Sequence, residues 1–250
     1  MKKVLWQEMR RTEIDEAAKT DSVVIIPTGS IEQHGNHLPV NTDINICYSI
    51  AKQAAELIED FPVLVAPPVW WGISWHHMKY PGAITIKIKT YIDLLTEIAV
   101  SISKHGFKRI LFLNGHGGNH GVISSLRGKL MYEDDPKLPS CVAYSYWKII
   151  DQDIKDILNR PDYILGHADD METAMELLLQ PTLVSSEEIS WAPGVIGDPA
   201  PATRKIGEKL FKTAVDKLIK LICDYRDGNL EKGITWQRDT RTRNKYEQLR

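Results

Sequence analysis

The 250-residue chain has only three cysteines, Cys47, Cys141 and Cys223, widely spaced and with no CxxC pair. This excludes a four-thiolate zinc site and a disulfide framework, and it suits free thiols in a reducing compartment. No apolar run approaches the about 18–20 residues that a membrane helix needs, so no membrane partner is expected. Neither sign of charge dominates: 31 Lys and Arg face 33 Asp and Glu, for a net charge of −2. A general nucleic-acid binder needs a cationic surface to replace counterions, so that class is excluded as well. Lys2 and Lys3 are followed by Gln7, Glu8, Arg10 and Arg11 rather than by an apolar stretch. No secretory leader is expected, and the cytoplasm is the expected location.

With 43% hydrophobic and 26% charged residues, the composition is that of an ordinary globular protein. No linker, repeat or low-complexity block divides the chain. A single domain over 1–250 is expected, with a polar tail from about residue 234. In the tail, Arg238, Arg241, Arg243, Lys245 and Arg250 outweigh Asp239 and Glu247. A solvated arm or a subunit contact is the expected role. One compositional feature stands out: seven of the eight histidines fall between residues 34 and 120, and six of these, His34, His37, His76, His77, His116 and His120, form three tight pairs.

Val23-Val24-Ile25-Ile26, Val63-Leu64-Val65-Ala66 and Ile110-Leu111-Phe112-Leu113 are short apolar runs stopped by Pro or Gly, the signature of buried strands. Cys141-Val142-Ala143-Tyr144 is a fourth candidate. Residues 83–88 alternate with period two and read as an edge or hairpin strand. Helical periodicity occupies residues 44–59, 91–105, 119–132, 170–179 and 203–225. Strands alternating with helices predict an α/β fold, with a mainly parallel central sheet covered on both faces.

In such sheets ligands bind at the carboxyl ends of the strands. Two strand ends here carry imidazoles in glycine-rich turns. One runs from Gly29 through Glu32, His34 and His37 to Asp43; the other is Asn114-Gly115-His116-Gly117-Gly118-Asn119-His120. Glu32 and His34 point the same way from an extended segment. Asp43, in Thr42-Asp43-Ile44-Asn45, could either cap a helix or join them on a cation. A Glu, His, Asp, His set has the oxygen and nitrogen character that Zn²⁺, Mn²⁺ or Fe²⁺ accepts. The second turn is not a Walker loop, because it has no GK[ST].

These motifs closely resemble the creatininase (creatinine amidohydrolase) family. Further matches follow in order: Gly72-x-Ser74-x-x-His77 with Tyr80-Pro81-Gly82, then Gly166-His167-Ala168-Asp169-Asp170-Met171-Glu172-Thr173, then Gly194-Val195-Ile196-Gly197-Asp198-Pro199. The resemblance spans roughly residues 20–210. It implies a three-layer α/β/α sandwich and a binuclear centre of two divalent ions, Zn or Mn first and Fe also accepted. Glu32, His34, Asp43 and His116 become metal ligands, with Asp43 bridging. Where creatininases carry a further glutamate ligand, this chain has Gly118, so a fifth ligand must come from Glu172 or, second, Asp170. His167 resembles the proton-transfer residue, with Glu172 beside it in the catalytic element. Ser74, His77, Gly117, Gly118 and Trp147 are the expected substrate contacts, and Trp70, Trp71 and Trp75 are further candidates for aromatic walls. Gly117 replaces a tyrosine that shapes the creatinine pocket, so a substrate other than creatinine is expected.

The function so implied is metal-dependent hydrolysis, in which a metal-activated water attacks the carbonyl of a small cyclic amide or related ring. Relatives also deformylate a formylaminopyrimidine, cleave a peptide during cofactor maturation, or hydrolyse a cyclic diketone of inositol breakdown (3-dehydro-scyllo-inosose hydrolase-like). The alternative outside catalysis is a silent metal-binding assembly subunit. The partners implied are a small-molecule substrate and further copies of the chain, since several family members are hexamers.

Overall fold

The computed structural model describes residues 2–132 and 140–230. The C-terminal tail, with its basic residues, lies outside the described residues. The expected strands form as β1 (Val23–Thr28), β2 (Val63–Val65), β3 (Arg109–Asn114) and β4 (Ser140–Ser145). They pair in parallel in the order β2-β1-β3-β4. Parallel strands need crossover helices, and these cover both faces.

The helices are α1 (Arg11–Ala18), α2 (Thr42–Leu57), α3 (Ile88–Lys104), α4 (His120–Tyr132), α5 (Tyr146–Ile149), α6 (Asp151–Leu158), α7 (Asp170–Leu179) and α8 (Arg204–Arg226). Alternate strand residues feed opposite cores. Val23, Ile25, Val63, Val65, Leu111, Leu113 and Val142 pack with α2, α7 and α8 on one face. Val24, Ile26, Leu64, Ile110 and Phe112 pack with Tyr91, Leu95, Ala99 and Ile102 of α3 and with Ile123 and Leu126 of α4 on the other. The result is the expected three-layer sandwich.

The chain runs from β1 by α2 to β2, then crosses back by α3 to β3 on the other side of β1. The carboxyl ends of β1 and β3 therefore flank the point where the winding reverses, which is where a crevice forms in open α/β sheets. One expectation fails. Residues 83–88 form no sheet strand; Ile84 and Thr85 make only single bridges, to Ile31 and Gly72, and Ile88 already begins α3. Ile86 packs against the α3-side core while Ile84 and Ile88 are exposed, so the alternation marks no single buried face.

Candidate metal centre

Glu32 and His34 follow β1, Asp43 sits in the first turn of α2, His116 follows β3, and Glu172 lies in the first turn of α7. All five are buried. Asp43 does not cap α2; that position is Asn41, which makes no capping bond. Its carboxylate is free to face the strand ends, and at a helix N-terminus it gains from the dipole. Gly115 permits this approach, since a Cβ there would lie 2.3 Å from the Asp43 carbonyl oxygen. The turn after β3 is latched by its own asparagines. Asn114 accepts from the His116 amide at 3.1 Å and donates to its carbonyl at 2.8 Å, and Asn119 donates to the Gly29 carbonyl at 3.0 Å.

The two histidines are oriented from behind. His34 Nδ1 lies 3.2 Å from the Glu32 carbonyl and His116 Nε2 lies 3.1 Å from the Ile73 carbonyl. Each of these nitrogens donates, so the other nitrogen of each ring is turned toward the carboxylates. His34 Nε2 is 3.3 Å from Asp43 Oδ1 and 3.7 Å from Glu172 Oε2. His116 Nδ1 is 2.9 Å from Asp43 Oδ2 and 3.3 Å from Glu32 Oε1. Both Glu32 oxygens, Asp43 Oδ2 and His34 Nε2 are buried without a hydrogen bond. Buried acceptors facing one another are costly unless a cation lies between them. Glu32, His34 and Asp43 meet the spacing of a metal-binding group, as do His34, His167 and Glu172. These residues therefore fit divalent ions.

The protonation pattern agrees. Burial alone would lower His34, but Asp43, Glu172 and Glu32 outweigh it and hold it near 10. His116 is likewise held well above its ordinary value against burial, chiefly by Asp43. Burial and the neighbouring carboxylates push Glu172 up to about 8. Without metal, protons occupy the places of the missing positive charge.

Among the described residues, Asp170 joins none of the groups with metal-binding spacing. Its Oδ2 pairs with Arg160 Nη1 at 2.8 Å. Asp169 has a structural use: its carboxylate caps α7, accepting from the Met171 and Glu172 amides. Ala168 has φ +52°, the left-handed region that non-glycine residues rarely adopt. This turn points His167 back at the site while Ala168 donates to Glu172 Oε2 at 2.6 Å.

A cavity of about 200 Å³ opens on this cluster. His77, Gly117, Gly118, Trp147 and His167 line it, and so do His76, Leu165 and Ile196, for which the sequence alone suggests no role. Ser74 does not line it; it is buried behind His116, bonded to Ser30 and 3.3 Å from His116 Nε2. Trp70, Trp71 and Trp75 are surface residues rather than walls of this cavity. Gly117 borders open space, but a Cβ on Gly118 would meet the Ile73 carbonyl at 2.2 Å. Gly117 alone widens the pocket, while Gly118 exists for close packing. Of the other clustered histidines, His37 bonds to Thr173 Oγ1 and His120 to Ser145 Oγ.

The family model for creatininase (creatinine amidohydrolase) matches residues 7–222. The chain belongs to the creatininase family. Among curated relatives, it is 30% identical over 206 residues to the mycofactocin precursor peptide peptidase of Mycolicibacterium smegmatis, covering 78% of this chain and 81% of that one. It is 26% identical to the creatinine amidohydrolase of Pseudomonas putida, covering 82% and 90%, and 28% identical to the 3-dehydro-scyllo-inosose hydrolase of Thermotoga maritima, covering 76% and 59%. A manganese creatininase structure superposes with a TM-score of 0.77 at 24% identity, covering 90% of this chain and 99% of that one. That likeness establishes the fold. The chain is thus a metal-dependent hydrolase of this family. No helix among the described residues is long and apolar enough to cross a membrane.

Proposed function

We propose that this chain hydrolyses an amide C–N bond of a small substrate, a cyclic amide first, with two divalent ions held by Glu32, His34, Asp43, His116 and Glu172. One observation carries this reading. The two oxygens of Asp43 face two different imidazoles, His34 and His116, so one carboxylate can serve two cations. Glu32 completes the His116 side and Glu172 the His34 side. Mixed oxygen and nitrogen donors suit Zn or Mn. When bound, such a pair supplies a water of lowered pKa and polarises the carbonyl.

The chain's own groups do the rest. Trp147, Leu165 and Ile196 offer an apolar, partly aromatic wall to a small ring. His167 Nδ1 lies 3.5 Å from Glu32 Oε1, placed to pass a proton from the attacking water to the leaving nitrogen. Burial and the nearby His34 charge push His167 down to about 3, so in the metal-free chain it stands neutral and able to accept.

A second reading is amide cleavage at a peptide end. It is favoured by the open space beside Gly117, through which a longer substrate can extend, and by the peptidase relative. The exposed tryptophans also support assembly with further copies of the chain. The deciding experiment is a hydrolase screen of metal-loaded enzyme against creatinine, small lactams, formylaminopyrimidines, short peptides and cyclic diketones. Chelator-sensitive turnover of a C–N substrate is expected. Turnover of the diketones alone, or turnover indifferent to chelators, overturns the proposal. Rapid turnover of creatinine refutes the role given to Gly117.

A further inference from the structure

Gln33 stands between two of the proposed ligands, Glu32 and His34, yet its side chain turns away from them toward two other histidines. Its amide orientation is set by backbone. Gln33 Oε1 accepts from the Gly35 amide at 2.9 Å, and Nε2 donates to the Gly194 carbonyl at 2.9 Å. A flipped amide would lose both bonds. The second Nε2 hydrogen points at His77 Nδ1, 2.8 Å away. That nitrogen must therefore carry a lone pair, and His77 must carry its hydrogen on Nε2.

His167 is settled by the same residue's backbone. Its Nε2 lies 2.7 Å from the Gln33 carbonyl oxygen, which can only accept. His167 Nε2 therefore carries the hydrogen. The Gln33 amide nitrogen, 3.0 Å from the same ring atom, has already spent both hydrogens. The remaining atoms of the two rings converge on Glu32 Oε1, His77 Nε2 at 3.6 Å and His167 Nδ1 at 3.5 Å. The rings themselves stack with centroids 4.2 Å apart.

We infer that Gln33 is a positioning residue that presents the cavity with an ordered imidazole pair, a donor N–H at His77 Nε2 and, because His167 spends its Nε2 hydrogen on the Gln33 carbonyl, the Nδ1 atom of His167. This rests on the amide-hydrolase reading and deepens it. As the water oxygen bonds to the carbonyl carbon, His167 Nδ1 takes one of its protons. As the C–N bond breaks, that proton passes to the leaving nitrogen, giving a carboxylic acid and an amine. The His77 N–H can bind the substrate carbonyl or leaving group throughout.

The test is nitrogen NMR of zinc-loaded protein with ring-labelled histidine. Wild type is expected to show His77 and His167 both neutral and protonated at Nε2. Signals assigned to H77Q and H167Q identify the two rings. Gln33→Glu replaces the donating amide with an acceptor, so the His77 Nδ1 signal is expected to become protonated while zinc content stays at the wild-type level. On the best substrate from the screen, kcat is expected to fall about 100-fold or more with KM little changed, since a wrong histidine tautomer elsewhere costs up to about 10⁴-fold. A proton on His167 Nδ1 in wild type, or unaltered His77 signals in Gln33→Glu, overturns the inference. If the screen finds no amide turnover while both tautomers are as stated, the substrate reading fails and the role of Gln33 stands.

Discussion

At the residue scale the site is a problem of unbalanced charge. Glu32, Asp43 and Glu172 are buried together, and among the described residues no lysine or arginine pairs with them. Without metal, these carboxylates hold His34 and His116 protonated. Removing the bridge should therefore disable both halves at once. Asp43→Asn keeps the shape but loses a charge and one acceptor. Metal content per chain, read by elemental analysis, is expected to fall by more than the 10–100-fold affinity loss typical of mutations behind a ligand. Protons should move with the metal. His34 is raised to near 10 and Glu172 to about 8, so at pH 7 both hold protons that bound cations displace. Metal affinity is then expected to rise with pH between about 7 and 9, with protons released on binding. The sign for the metal-free fold is the reverse. A raised folded pKa gives stability that is present below the unfolded value and lost as pH climbs through the folded one. Calorimetry in buffers of different ionisation enthalpy measures the release, and pH-independent binding would contradict this protonation pattern.

At the element scale the glycine-rich turn after β3 mixes two kinds of glycine that look alike in sequence. A Cβ on Gly117 meets nothing within 4 Å, whereas one on Gly118 lies 2.2 Å from the Ile73 carbonyl and 2.5 Å from His116 Nε2. Gly118→Ala is expected to cost about 1–3 kcal/mol of stability through overpacking, and to loosen metal because Ile73 is the group that orients His116. Gly117→Ala should change stability by no more than about 0.5 kcal/mol. Denaturant unfolding of the two variants separates them; equal effects would refute the assignment. The same contrast shows what was legible in the chain. Helices α2, α3, α4, α7 and α8 carried a periodicity, and the four strands a continuous apolar run, strong enough to locate within a few residues, because both faces of the sheet are buried. The eight-residue α1 and α6 are too short for a stripe to stand out. Glu32, His34, Asp43 and His116 were readable because strand ends concentrate them. Gln33 was not, since its importance lies in contacts with His77, Gly194 and His167, which are 44, 161 and 134 residues away along the chain. Ser74, given as a substrate contact by resemblance alone, lies behind His116 instead, a placement set by a contact 42 residues away along the chain.

At the scale of the whole molecule, the reversal of winding between β1 and β3 brings the loops after both strands together with residues of α2, α5 and α7 around one cavity. Between residues 70 and 88 the chain leaves Trp70, Trp71, Trp75, Met78, Ile84 and Ile88 exposed, each with 42–57% of its surface open to solvent. Single exposed apolar residues are ordinary, but three tryptophans and a methionine within nine positions are not. Aromatic residues with Met are the types enriched where proteins meet. A second copy of this chain is the expected cover, because the same segment carries His76 and His77 into the cavity, so assembly would steady the loop that presents them. Sedimentation velocity is expected to show an oligomer, and Trp71→Glu with Trp75→Glu is expected to shift it to monomer. Because the variant also frees this loop, its kcat should fall while its far-UV circular dichroism stays that of the wild type. A monomeric wild-type protein, or an oligomer indifferent to both charges, would remove the segment from any assembly role.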